Sequence, residues 1–196
     1  MGLSIHILWL GVAFLVLFSL LKTTFRRPTR TFDEMFPYLR DANLEDVRDL
    51  VDPADEGYLR LNLSAHNFRN AQHDRLHLFR ELLERMSHNA GFLQDWASSE
   101  LERSLATRNR GSKEASRQLI ELCMAFRLAA FVARFRLLLW SVRIRLLPFV
   151  SIPCLAEAGQ IRDTDLLYVY GRIRETAGAL SRACGDCCAQ RLSEVL

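Results

Sequence analysis

The chain has 196 residues, enough for one domain of ordinary size with a hydrophobic core. Hydrophobic residues make up 49% and charged residues 25%, which excludes both a disordered chain and a protein that crosses the membrane many times. The net charge of +3 is too small to indicate a nucleic-acid partner, and the sequence has neither a glycine-rich phosphate loop nor a GxSxG nucleophile motif. We therefore expect a non-enzymatic protein with no cofactor and no nucleic-acid partner.

Arginine dominates the basic residues, since Lys22 and Lys113 are the only lysines among 26. This bias is typical of a GC-rich and most simply bacterial genome, so arginine enrichment alone does not indicate phosphate recognition. The charges are also unevenly placed. Residues 31–58 are strongly acidic and residues 103–147 strongly basic, so the two segments could pair with each other or the basic one could face anionic lipid.

The first predicted element is a membrane anchor over residues 1–22. Residues 5–21 are uncharged and would span roughly 26 Å as a helix, close to the hydrocarbon thickness of a bilayer. No basic residue precedes this segment, and the basic flank follows it: Lys22, Arg26, Arg27 and Arg30. The positive-inside rule therefore predicts a single-pass protein of the cell (inner) membrane, with its N-terminus outside and its main domain cytoplasmic. The alternative is an uncleaved signal anchor in the opposite orientation.

Residues 23–62 combine this basic flank with an acidic connector. We expect short helices here, separated by Pro37, Pro53 and Gly57, with Asn43 as the N-cap of NLEDVRDLV. The connector is interpreted as a solvated spacer or as a docking surface for the basic helix or a basic partner.

A long helix is predicted over about 64–106, capped by Ser64. One face is apolar, with Leu61, Phe68, Leu76, Phe79, Leu82, Leu83, Met86, Leu93, Ala97 and Leu101. The opposite face carries His66, His73, His77, Glu81, Glu84 and His88. His73 and His77 are four residues apart and Glu81 follows four later, a spacing that could bind a divalent metal ion. Because HExxH is absent, a solvated polar face is the simpler interpretation.

The next helix is predicted over about 112–147, beginning after Gly111 with Ser112 as its cap and ending before Pro148. Its apolar residues form two opposite stripes. The first stripe is Leu119, Leu122, Phe126, Ala130, Ala133, Leu137, Trp140 and Ile144, and the second stripe is Met124, Leu128, Phe131, Phe135, Leu139, Val142 and Leu146. Arginines lie in the grooves between the stripes, with Arg127, Arg134 and Arg145 in one groove and Arg136 and Arg143 in the other.

This spacing excludes a strand, and the arginines make a second membrane span unfavourable. A compact bundle needs only one apolar stripe per helix. We therefore predict that the second stripe contacts another protomer, the acidic connector or a membrane-protein partner through Phe131, Phe135, Leu139, Val142 and Leu146.

The last predicted helix covers about 163–195, with Asp163 or Thr164 as its cap. Its apolar stripe includes Cys184, Cys187 and Cys188, which also form a CxxC. CxxC can bind zinc or perform redox chemistry, but no βαβ pattern or second cysteine pair accompanies it. Small core residues are the simpler interpretation, with metal or thiol chemistry and a regulatory disulfide as alternatives.

Together these elements predict an all-α protein with one N-terminal transmembrane helix followed by an antiparallel bundle of about three long helices in residues 63–196. The expected function is that of a membrane-tethered scaffold or adaptor, which assembles as a homo-oligomer or with another membrane-associated protein through the second stripe. The alternative is a metal- or thiol-dependent protein that uses the histidine face (His66, His73, His77 and His88) or the Cys184-Cys187-Cys188 cluster.

Overall fold

A computed structural model describes residue 34 and residues 36–107, 110–146, 160–161 and 164–184. The predicted anchor at residues 5–21 and its flank of Lys22, Arg26, Arg27 and Arg30 lie outside these described residues. Among the helices that are described, none has the length and apolarity needed to cross a bilayer.

The described part is helical apart from one small antiparallel ladder, so the predicted all-α class is confirmed. A 3₁₀ turn at Phe36–Tyr38 precedes the helices, and two-residue strands precede the last of them, with Gln160 opposite Asp165 and Ile161 opposite Thr164. In chain order the elements are α1 Leu44–Leu50, α2 Pro53–Asn62, α3 Ala65–Thr107, α4 Arg110–Leu146, β1 Gln160–Ile161, β2 Thr164–Asp165 and α5 Leu166–Ala183.

Several helix boundaries follow local sequence signals. The Asn43 side chain accepts a hydrogen bond from the backbone N–H of Glu45, which confirms it as the cap of α1. Asp52 caps α2 in the same way, with Pro53 at the first helical position, where its missing N–H has no cost. Ser64 caps α3 by accepting from the N–H of Asn67 at 3.3 Å.

Three boundary predictions were wrong. Gly57 does not separate helices but lies inside α2. Gly111 and Ser112 lie within the first turn of α4, which begins at Arg110. Thr164 lies in β2, so α5 begins at Leu166. Gly57 and Gly111 are tolerated inside helices because a single glycine costs a helix only about 1 kcal/mol. Ser112 is buried in α4 and therefore packs within the bundle.

The bundle core lies between α3, α4 and α5. Arg127 and Arg134 of α4 contact Gln94 and Glu84 of α3, an order that makes the two long helices antiparallel. α5 packs beside both, with the ring of Tyr170 5.2 Å from that of Phe126. The largest fully buried side chains come from all three helices: Phe79, Leu83, Met86, Leu93, Trp96, Leu119, Phe126, Leu137, Leu166 and Tyr170.

The acidic connector packs against the bundle instead of forming a solvated spacer. Ala42 and Val47 are completely buried, and Arg75 of α3 donates to the carbonyl oxygen of Leu50 at 2.6 Å. The carboxylates of α1 face solvent, so the connector combines an apolar inner side with an acidic outer side. Leu61, which was assigned to the apolar stripe of the long helix, belongs to α2 and is 87% exposed.

Candidate interaction surface

The two faces of α4 have opposite environments. On the inner face, Leu119, Phe126, Ala130, Ala133 and Leu137 are at most 2% exposed. The outer face carries large apolar side chains that are between 40% and 52% exposed: Met124, Leu128, Phe131, Phe135, Leu138, Leu139 and Val142. We call these seven residues the outer face. A helix in a three-helix bundle buries only the side that its two neighbours cover, which leaves the second stripe in solvent.

Four of the five residues predicted to bind a partner belong to this outer face: Phe131, Phe135, Leu139 and Val142. The fifth, Leu146, ends α4, and its side chain lies outside the described part of the chain. Leu138 was missed, although its sequence signal was present. It lies three residues after Phe135 and four before Val142, the spacing of a helix face.

One edge of the outer face is formed by arginines that α3 holds in place. Arg134 forms an ion pair with Glu84 at 3.0 Å, and Arg127 donates to the side-chain oxygen of Gln94 at 2.9 Å. The Arg127 guanidinium also lies close to the backbone of α3, since a Cβ built on Gly91 would be 3.9 Å from its central carbon, an ordinary van der Waals contact. The guanidinium groups of these two arginines therefore lie at polar side chains of α3.

The predicted metal ligands on α3 each have separate surroundings. His73 lies 3.8 Å from Asp74, its neighbour in sequence, while His77 is exposed. Glu81 forms an ion pair with Arg85 at 2.7 Å. Within the residues that the structure describes, no group of three or more His, Cys, Asp or Glu side chains is arranged to hold a metal ion.

The other two residues of the histidine face also contact protein groups. His66 lies 3.3 Å from the amide nitrogen of Asn70. His88 hydrogen-bonds the backbone oxygen of Tyr38 at 3.2 Å and packs against the ring of Phe92 at 4.8 Å. His88 is therefore part of the contact between connector and bundle, and not of a uniformly solvated face.

Cys184 is the one residue of the CxxC cluster that the structure describes, while Cys187 and Cys188 lie outside the described residues. Its sulfur is 3.6 Å from a carboxylate oxygen of Glu100 and 3.9 Å from the hydroxyl of Ser112. Glu100 is buried and also pairs with Arg103 at 2.7 Å. These contacts join the end of α5 to the α3–α4 hairpin.

The buried titratable groups near the centre of the bundle are held neutral. Burial raises the pKa of Cys123 to about 12, and the charge of Arg127 opposes this only in part. Burial likewise raises the pKa of Tyr170, while a hydrogen bond from Asn89 and the charge of Arg174 lower it. A thiol with so high a pKa is a poor nucleophile, so Cys123 is a packing residue.

Asn89 is a structural residue that the sequence did not reveal. Its side chain is fully buried, accepts from the backbone N–H of Arg40 at 2.8 Å and donates to the carbonyl oxygen of the same residue at 2.7 Å. The same amide nitrogen lies 3.2 Å from the hydroxyl of Tyr170. Asn89 thus joins the connector, α3 and α5 at one point.

A pocket that is open to solvent lies between the connector and α3, where α1 and α2 meet Arg75. Three carboxylates line it, from Asp46, Asp49 and Asp55, together with the side chains of Tyr58 and Arg75.

Comparisons of the chain with protein-family models, with curated proteins and with solved structures find no match in any of the three. Within the described residues, the outer face of α4 combines seven large apolar side chains that are 40–52% exposed.

Proposed function

We propose that this chain is a membrane-tethered helical scaffold or adaptor, which assembles with itself or with another protein through the outer face of α4. The observation that carries the proposal is the set of seven large apolar side chains, each about half exposed, on one side of one helix. At roughly 200 Å² for a fully exposed side chain of this size, they present on the order of 600 Å² of apolar area. A contiguous patch of this size is typical of an interaction site, whereas single exposed apolar residues are ordinary.

The tether is proposed from the sequence of residues 5–21 and the basic flank that follows. A charge-free segment of bilayer length with arginines and a lysine on its C-terminal side favours a single span with the main domain in the cytoplasm. A tether also suits an adaptor, because confining a domain to a surface raises its effective concentration for partners on the same surface.

The tether can be tested with two charges placed inside the apolar segment. The double variant Val12→Arg/Val16→Arg should remove the protein from membranes, because each arginine costs about 2.5–3.5 kcal/mol at the centre of a span. After alkaline carbonate extraction, the native chain is expected in the membrane pellet and the variant in the supernatant. The matched control Val12→Leu/Val16→Leu should stay in the pellet.

Protease added to intact spheroplasts tests the orientation. The main domain should be cleaved only after the membrane is permeabilised. Cleavage in intact spheroplasts would show the opposite orientation, and extraction of the native chain by carbonate would remove the tether from the proposal.

Assembly can be tested with two leucines of equal exposure. Leu128 on the outer face is 52% exposed and Leu78 on α3 is 50% exposed, so Leu128→Asp and Leu78→Asp introduce the same charge at comparable sites. In sedimentation velocity of the full chain in detergent micelles, Leu128→Asp should weaken assembly at least about tenfold, equivalent to about 1.4 kcal/mol. Leu78→Asp should leave it unchanged.

The adaptor proposal fails if the native chain is strictly monomeric in micelles and in-cell crosslinking from the outer face captures no protein. It also fails if the two leucine variants weaken assembly equally, because the outer face would then have no special role.

A further inference from the structure

Six residues of the outer face follow the spacing of a coiled-coil seam. Met124, Leu128, Phe131, Phe135, Leu138 and Val142 are separated by 4, 3, 4, 3 and 4 residues, and each is between 40% and 52% exposed. Alternation of three and four is the pattern that lets one helix pack along another with its side chains interdigitated. The seam therefore fits an α-helix as its occupant.

We propose that this occupant is α4 of a second copy of the chain, packed antiparallel. The inference rests on the proposed function, since it takes the outer face to be the assembly surface, and it commits that surface to one partner and one register. The spacing of the seam reads the same in both directions. A twofold axis midway between Phe131 and Phe135 therefore places every seam residue of one copy opposite a seam residue of the other.

The resulting layers are well matched in size. Phe131 faces Phe135 of the second copy, Leu128 faces Leu138, and Met124 faces Val142, each pair occurring twice about the axis. Each layer thus joins residues of similar bulk, and the aromatic pair lies at the centre, where burial is greatest.

The two edges of the seam favour the antiparallel arrangement. One edge is apolar, with Ala125, Val132 and Leu139, and the other carries Arg127 and Arg134. In an antiparallel pair like edges meet, so apolar side chains face apolar side chains. A parallel pair would instead place each arginine edge against the apolar edge of the other copy.

The positive charge of the arginine edge is partly neutralised by an acidic residue of the same chain. Glu84 of α3 lies 3.0 Å from Arg134, and both side chains remain partly exposed, at 51% and 36%. Arg134 lies beside the twofold axis, so a dimer would bring together two arginines and two glutamates, whose charges balance. Each Glu84 could then also pair with Arg134 of the second copy. A partner with its own acidic edge is therefore not required.

The apolar area of the outer face is also large enough for a dimer interface. Two outer faces of on the order of 600 Å² each would bury about 1,200 Å² in total, which reaches the lower limit of stable protein–protein interfaces. A smaller partner, such as a short peptide, would leave part of the seam in water.

Charge reversal at the axis tests the inference on the full chain in detergent micelles. Arg134→Glu would gather four carboxylates at the axis and Glu84→Arg four guanidinium groups, so each single variant should raise the dimer dissociation constant at least about tenfold. The double variant Arg134→Glu/Glu84→Arg restores the balance and should return the constant to within about threefold of the native value. Failure of the double variant to recover overturns the register.

A photocrosslink tests both the identity and the direction of the partner. Benzoylphenylalanine at position 124, in membranes that contain a mixture of ¹⁴N- and ¹⁵N-labelled chains, should give crosslinked peptides that combine the two isotopes. The antiparallel register places the attachment near Val142. Attachment near Met124 overturns the antiparallel arrangement. The absence of a mixed-isotope product overturns the dimer. Capture of a different protein also overturns the dimer, but it agrees with the proposed adaptor function.

Discussion

Phe126→Ala should destabilise the domain by about 3–5 kcal/mol, whereas Phe131→Ala on the other side of the same helix should cost no more than about 1 kcal/mol. Phe126 is fully buried, and its ring lies 5.2 Å from that of Tyr170, so truncation leaves a cavity in the centre of the bundle. Phe131 is 40% exposed, and truncation there mainly removes apolar surface that water already reaches. The two substitutions are chemically identical, so their difference measures the environment alone.

The comparison requires a monomeric background, because a dimer that uses Phe131 would add its own free energy to the apparent stability. Both variants should therefore be made together with Leu128→Asp and unfolded with urea in detergent micelles, with circular dichroism as the signal. An unchanged slope of free energy against urea would show that the variants change stability and not the denatured state. Equal losses in this background would place the outer face in the core and remove the basis for the interaction surface.

The two-stripe pattern of α4 shows how much of the site a sequence can predict. Spacing by threes and fours identifies both faces, and the exposed side chains of Phe131, Phe135, Leu139 and Val142 lie where the spacing placed them. Spacing alone does not state which face turns inward. That choice depends on α5, whose contact with Phe126 involves residues more than forty positions away.

The packing of the connector against the bundle could not be predicted for a similar reason. Its composition is acidic, and an acidic segment with short helices is typical of a solvated linker. Ala42 and Val47 are buried in the core and other apolar residues of the connector pack against it, but they are spread over several short elements, so no single long apolar stripe marks them. The polar contacts that fix the connector are non-local, with Arg40 and Asn89 separated by 49 positions.

Asn89→Ala should lower the free energy of unfolding by roughly 3 kcal/mol and loosen the connector. The variant removes three hydrogen bonds and leaves three polar groups without this partner: the part-buried N–H and carbonyl of Arg40 and the buried hydroxyl of Tyr170. Each unsatisfied buried group costs about 1–3 kcal/mol, which is more than the net gain from a hydrogen bond between exposed groups. Asn70→Ala is the matched control. It removes an exposed asparagine of the same helix whose amide nitrogen lies 3.3 Å from His66, and should change stability by less than about 0.5 kcal/mol.

A local measurement separates the role of Asn89 as a junction from a general loss of packing. Hydrogen exchange of the Arg40 amide should accelerate strongly in Asn89→Ala, because that N–H donates directly to the missing side chain. Tyr170→Phe removes only one of the three bonds, so it should cost about 1 kcal/mol and leave the exchange of Arg40 nearly native. If Arg40 remained protected in Asn89→Ala, the connector would be held by its apolar contacts alone. The buried amide would then join α3 to α5 and not to the connector.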